Sequence, residues 1–582
     1  MVAISIRPTT QASQSFTASP WNTESHGRPT LESALGATLP SKQASAFFAA
    51  PPWNTESHEW LSLDNELDPD HPVRRIAHLV DTDLILHPLF GTYAGRGTKA
   101  HRPDLLLKLL IYEHSLGRPQ PVQWMKDLQE NKAVQWLVFG MRPSQTTVYE
   151  FRDRAQPLLR ELNQQVIRTA IDEGHTDASR GALDGTTVAA NATRHRMVNL
   201  DTVEKRLEIL DREIAEAEQS EEPALTIDTA EPETSPSAPA PMPEDSTALA
   251  TPTAPTAGNP PKPPWKARTK RGKKRQRDRC RRARAVLQAQ QEANACRRKD
   301  KRKEITKIRV ALGDPMAPFG LDKLNTYRPL YNIQTMSDVQ TDLVLAYATT
   351  RTTADNGHLL PMIEQTIAMT GRPLKDALVD SGYPSGEDLA QCEQKGVTVY
   401  APWNENAFTE EKRASSEKDR QIPKDQFTFD PSIPGYRCPQ GKLLTYRERS
   451  MSQKANGDYF TFDIYQADPS DCATCPLKDR CVRGRSGART VGRQEHEDHV
   501  EALKERMKTP AAKAIYSKRG CTVELRFADW KTHRGLQRIS GQTPERADAQ
   551  VGLTVLAHNL RTLDKLRVRR REQQEMPGKT AS

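Results

Sequence analysis

From Ile214 to Pro261 the chain has no Lys or Arg, and Pro, Thr, Ala and Glu dominate. Directly after it, between Lys262 and Arg309, stand 21 Lys or Arg against 4 acids. The first stretch has too little apolar surface to offset the entropy of ordering it, so it reads as a disordered linker. A chain interrupted in this way cannot fold around one continuous core. Its 582 residues are therefore expected to form several folded units separated by solvated segments. The formal charge of +9 belongs to the basic segment, and the rest of the chain is mildly acidic. A polyanion is the simplest partner for such a block, because Arg forks suit phosphate oxygens. Arg271, Lys273, Lys274 and Arg275 are its candidate DNA contacts.

No run of about 18 apolar residues is present, so no transmembrane helix and no membrane partner are expected. The N-terminus lacks an apolar h-region, which argues against secretion. The eight cysteines suit a reducing cytoplasm, with some in a metal site, better than they suit disulfides.

Along the chain, residues 1–67 are Ser, Thr, Pro and Ala rich and read as disordered. They contain PWNTESH twice, at Pro20–His26 and Pro52–His58, as a plain duplication or a repeated docking peptide. Residues 68–178 show three-to-four-residue apolar spacing and read as a helical domain, either a DNA-binding unit or a supporting core. Residues 179–212 supply a strand, GALDGTTVAA, and a helix. The linker is placed at 213–265 and the basic segment at 266–309. Within 310–404 two paired strands lead into helix, strand, helix, strand, which indicates a mixed sheet with helices on its faces. Residues 405–500 read as polar loops with clustered cysteines, 501–566 as helices and 567–582 as a loose tail.

Three acids stand out in this frame. Asp184 lies in a strand and shares its face with Thr186. Asp380 follows the apolar run Ala377–Val379, and Glu524 lies in a helical stretch. Three carboxylates brought within about 4 Å would repel by roughly 4 kcal/mol per pair at an effective dielectric of 20, so their convergence would require divalent metal. Mg²⁺ suits this role, since it accepts carboxylates and phosphate oxygens together. Strand-to-turn acids such as DGT and DSG are also common without any catalytic role. Among the cysteines, Cys438, Cys472, Cys475 and Cys481 could form a tetrahedral zinc site, whereas Cys280, Cys296, Cys392 and Cys521 lack ligand spacing.

GALDGTTVAANA, GDPMA at Gly313–Ala317, PLYNIQTMSD, ALVDSGY and the series Tyr516, Arg519, Glu524, Lys531, Gly535 and AHNLR occur in this order. Together they resemble the DDE transposases of bacterial insertion sequences over roughly residues 68–200, 310–403 and 500–566. The resemblance implies an α/β, ribonuclease H-like mixed sheet with helices on both faces, an N-terminal α-helical domain and a Cys-containing insertion. It implies that Asp184, Asp380 and Glu524 hold two Mg²⁺ (or Mn²⁺) ions. One ion would activate water or a DNA 3′-hydroxyl, and the other would stabilise the leaving oxygen. Tyr516, Arg519 and Lys531 would contact DNA. The spacing from Arg519 to Glu524 is one residue longer than in the best-known form of this signature, which turns a side chain by about 100° on a helix.

The expected activity is cleavage at the terminal inverted repeats of an element and strand transfer into target DNA. The expected agent is a homodimer on double-stranded DNA, in the bacterial cytoplasm at the nucleoid. A nuclease that cuts without joining and a non-catalytic DNA-binding descendant are the alternatives.

Overall fold

The computed structural model describes residues 47–93, 97–219, 265–322, 325–403, 421–454, 456–482 and 487–575. The chain packs as two compact units, and no helix among the described residues is long and apolar enough to cross a membrane. Eight helices come first: α1 (His58–Glu66), α2 (Pro72–Asp83), α3 (His87–Gly91), α4 (Pro103–Ser115), α5 (Pro121–Glu130), α6 (Lys132–Leu137), α7 (Gln145–Ala155) and α8 (Leu159–Asp172). The unit boundary cuts α4 and α7, assigning residues up to 109 and 125–147 to the first unit.

In the first unit, Trp60 stacks on Trp136 and Phe139 at 5.6 Å between centroids, and Arg74 covers the Trp136 ring. The second PWNTESH copy belongs to this core. The Trp53 ring lies against Gly140, where a Cβ would come within 2.5 Å of it, and the Trp53 N–H donates to Phe139 O. This corrects the reading of residues 1–67 as disordered: from Phe47 on, aromatic side chains tie the segment down. The first copy and residues 1–46 lie outside the described residues.

The second unit is built on a sheet that begins with β1 (Arg180–Ala189). β2 (Met197–Val198), α9 (Leu200–Gln219), α10 (Lys270–Cys296) and β3 (Val310–Ala311) form a side arm whose two short strands pair antiparallel. Val203, Leu207 and Leu210 of α9 bury against Cys280, Ala283 and Leu287 of α10. The expected linker therefore starts later than 213, because α9 runs on to Gln219 with its apolar stripe buried; residues 220–264 lie outside the described residues.

The sheet continues with β4 (Phe319–Leu321), β5 (Tyr327–Asp338), β6 (Val344–Thr350), α11 (Leu359–Thr370), β7 (Asp376–Leu378), α12 (Gly386–Gln394) and β8 (Thr398–Tyr400). β1 pairs antiparallel with β5 and parallel with β7, and β7 pairs parallel with β8. β6 and β4 share the far edge of β5. An antiparallel trio followed by two parallel strands, with helices on both faces, is the ribonuclease H-like arrangement.

Residues 405–500, read from sequence as polar loops, instead hold a second antiparallel sheet of five strands. These are β9 (Thr428–Asp430), β10 (Gly435–Arg437), β11 (Leu443–Gln453), β12 (Tyr459–Ala467) and β13 (Thr490–Gln494), with short helices α13 (Pro469–Ala473) and α14 (Lys478–Cys481) before β13. β11 is largely exposed, so no buried apolar alternation marks it. The chain ends in α15 (Glu497–Lys508), α16 (Pro510–His533) and α17 (Pro544–Glu575).

Period-two alternation sets the two faces. Leu183 of β1 faces a core shared with Ile363 of α11, Leu389 of α12 and Leu503 of α15. Val188 faces the other core, with Phe527 and Trp530 of α16 and Val551 and Val555 of α17. α7 and α8 belong to this unit because α8 packs on α17: Asn163 donates to Gly552 O at 3.2 Å.

His114 on α4 is 1% exposed and its Nδ1 faces Leu110 O at 2.7 Å. Burial pushes its pKa down from 6.5 to about 4. Below pH 6.5 the unfolded chain takes up a proton that the folded chain refuses. Stability from this group is thus full above pH 6.5 and falls by roughly 3 kcal/mol as pH drops to 4. His114→Gln should flatten the pH dependence of thermal unfolding across that window. Parallel wild-type and variant curves would refute the assignment.

Candidate active site

β1 and β7 bring two of the acids level. Their parallel register ends at Ala182 opposite Leu378. Two residues further along each strand stand Asp184 and Asp380. Neighbouring strands lie about 4.8 Å apart, so Asp184, inside β1, lies level with Asp380, just past the end of β7. Asp184 shares a face with Ala182, which packs against Val523 of α16, so it points toward that helix.

α16 is fixed at both ends. Thr509 Oγ1 accepts from Ala512 N at 3.2 Å, and Pro510 occupies the first turn. At the other end Gly535 takes φ +67, and Leu536 N donates back to Trp530 O at 3.0 Å. Trp530 is fully buried and worth about 2–3 kcal/mol of apolar burial.

Along α16, Arg519 Nη2 donates to Asp184 Oδ1 at 2.9 Å. Arg519 is thus turned inward onto Asp184, and its side chain is only 9% exposed. Tyr516 lies near the same pair. Burial raises its pKa, and Asp380 and Asp184 add to the rise against the pull of Arg519. Lys531 Nζ donates to Thr187 O on β1 at 3.0 Å. Glu524 lies between these two anchors on α16 and is exposed.

Arg526 is a residue the sequence reading missed. Its side chain is 1% exposed, and Nη2 donates to Asp342 Oδ1 at 2.9 Å. It also donates to Ser337 Oγ and Thr522 O. Burial lowers its pKa, while Asp342 and Asp184 pull it back up. The available signal was an Arg set between Val523 and Phe527 on the apolar face of the helix.

Among the described residues, no three His, Cys, Asp or Glu side chains stand close enough together to hold a metal ion. Asp184 and Asp380 nonetheless offer oxygen donors only, on adjacent strands of the sheet, which fits Mg²⁺ or Mn²⁺. A complete triad requires the exposed Glu524 carboxylate to turn toward them. Three of the four candidate cysteines lie in or beside the core of the second sheet. Cys472 and Cys481 are buried there, and Cys438 packs beside them. Burial raises the pKa of Cys481, with Cys472, Cys475 and Cys438 each contributing.

On α10 the basic candidates separate. Lys273 pairs with Glu213 and Lys274 with Glu218 of α9, both at 2.7 Å, so these two lysines brace the side arm. Arg271 and Arg275 are exposed.

Residues 437–564 match the family described as Transposase DDE domain, and residues 61–154 match the Transposase domain (DUF772) family. The two matches together support a DDE transposase of an insertion element. The first match includes Glu524, Tyr516, Arg519, Lys531 and all four clustered cysteines, and Asp184 and Asp380 precede it. No curated protein and no solved structure matches this transposase.

Proposed function

We propose that this transposase cleaves DNA at the ends of its insertion sequence and joins those ends to target DNA, using Asp184, Asp380 and Glu524. The observation that carries this reading is the register of parallel β1 and β7, which sets Asp184 inside β1 level with Asp380 just past the end of β7, beside α16. Divalent cations bound there would supply Lewis-acid stabilisation of charge on the phosphate oxygens.

The rest of the chemistry belongs to the chain. Asp184 and Asp380 supply the negative charge at the sheet edge. Arg519 fixes the Asp184 carboxylate, and Lys531 ties α16 to β1, which leaves the exposed Glu524 carboxylate to turn toward the two aspartates. In cleavage, a water oxygen forms a bond to phosphorus and the P–O bond to the neighbouring nucleotide breaks, leaving a 3′-hydroxyl. In joining, that hydroxyl attacks a target phosphodiester in line. Tyr516 at the rim, and Arg271 and Arg275 on the side arm, contact the DNA. Two ends handled together call for a homodimer on the inverted repeats, in the bacterial cytoplasm at the nucleoid.

The test is Mg²⁺-dependent cleavage of a labelled duplex carrying the element ends. Cleavage at the ends, followed by joining of precleaved ends, supports the reading. Cleavage without joining would leave a nuclease, and binding without cleavage a DNA-binding protein.

The cysteine cluster is proposed as a structural zinc site of Cys438, Cys472, Cys475 and Cys481. Purified protein should carry about one zinc per chain, and Cys472→Ser with Cys475→Ser should release it and lower the melting temperature. Clean, folded wild-type protein with substoichiometric zinc would remove the assignment.

A further inference from the structure

Away from the strand-end acids, α16 and α17 enclose a cavity of about 260 Å³. Its wall holds four cations, Arg526, Arg534, Arg561 and Lys565, and two acids, Asp342 and Asp529. Both acids are already engaged, Asp342 with Arg526 at 2.9 Å and Asp529 with Arg534 at 3.3 Å. Arg561 and Lys565 stand one turn apart on α17 and make no hydrogen bond or ion pair among the described residues. Burial lowers the pKa of Lys565, and repulsion from Arg561 and Arg569 adds to the fall. The histidines in the wall do not change the count. Burial holds His114 at about 4 and His558 at about 3, so both are neutral at pH 7. The cavity therefore carries two uncompensated positive charges. It is roomy enough for a phosphate group and some of its water, which needs about 30 Å³ per molecule.

Resting on the transposase reading, we propose that this cavity seats a backbone phosphate of duplex DNA, held by Arg561 and Lys565. A wall with two more cations than acids is the complement of a phosphodiester, and such contacts set the position of a protein on DNA without reading its sequence. Arg526 forms the inner wall and is also within electrostatic reach of Asp184. A phosphate seated here would therefore place the duplex against the α16 and α17 wall that Arg526 backs.

The test is titration of the full chain with a short labelled duplex of random sequence across a range of salt concentrations. It compares wild type with Arg561→Gln/Lys565→Gln, and with Arg447→Gln/Arg449→Gln on exposed β11 as a charge-matched control. Each lost phosphate contact should reduce the slope of log affinity against log salt by about 0.9. The cavity variant should bind tenfold or more weakly at about 0.1 M salt, with a slope shallower by about 2, while the control keeps the wild-type slope. Both replaced side chains are exposed, and a circular-dichroism melt verifies that the variant folds. An unchanged slope in folded variant, or an equal change in the control, overturns the cavity assignment. End cleavage by wild type in the same preparation separates the two ideas. Cleavage with an unchanged slope refutes the cavity alone, whereas a wild type that binds no duplex refutes the transposase reading with it.

Discussion

Asp184→Asn is expected to abolish end cleavage, by on the order of 10³-fold or more, while duplex binding stays at the wild-type level. Asn keeps the size of the side chain and an oxygen that accepts from Arg519, so β1 and its contact with α16 should persist. What disappears is one full negative charge at the edge where Asp380 also emerges. A neutral amide oxygen is a much poorer partner for a divalent cation than a carboxylate. The measurement is the fraction of labelled ends cleaved over time, with binding followed on the same duplex. Mg²⁺-dependent nicking retained by the variant would sink the role given to Asp184. Binding lost together with cleavage would point instead to a folding defect.

Arg526→Met should destabilise the second unit by about 3 kcal/mol. Met matches much of the Arg volume, so the loss is not mainly a cavity. It removes a buried guanidinium that Asp342, Ser337 and Thr522 all satisfy. Ser337 Oγ is then left buried without its donor. Asp342 is 51% exposed and can rehydrate, which holds the effect to the lower end of the range for broken buried pairs. Denaturant unfolding reads it directly. An unmoved midpoint would show that Arg526 does not brace α16 against the sheet. Because Arg526 also lies within electrostatic reach of Asp184, end cleavage by the variant should fall as well.

Much of the second unit was legible in the sequence, for a local reason. β5, β6, α11, α12 and β8 each carry their own period, two or 3.6, within a few residues. The acids Asp184 and Asp380 were visible because each lies in or follows a short apolar run that reads as a strand, within motifs that resemble the DDE transposases. The second sheet was not legible. β11 carries Arg447, Glu448 and Arg449 in succession on an exposed surface, so neither alternation nor an apolar run signals it. Its core is supplied by Tyr436, Leu444 and Tyr465, which come together only through pairing. The early segment around Trp53 was read as loose for the same reason, since its anchor at Gly140 lies far along the chain.

By itself the sequence determined where most helices and the strands of the first sheet form, which segment carries the positive charge and which acids lie in or just after an apolar strand. These are properties of neighbours along the chain, and periodicity and composition record them. Only the tertiary structure decided that Asp184 and Asp380 stand level, since this depends on the register of β1 against β7. It alone decided that Lys273 and Lys274 neutralise α9 while Arg271 and Arg275 remain outside. It alone gathered Arg561 and Lys565 with the buried Arg526 around one cavity. A charge takes its role from what lies within a few ångströms of it, and that distance is set by packing between elements far apart in sequence.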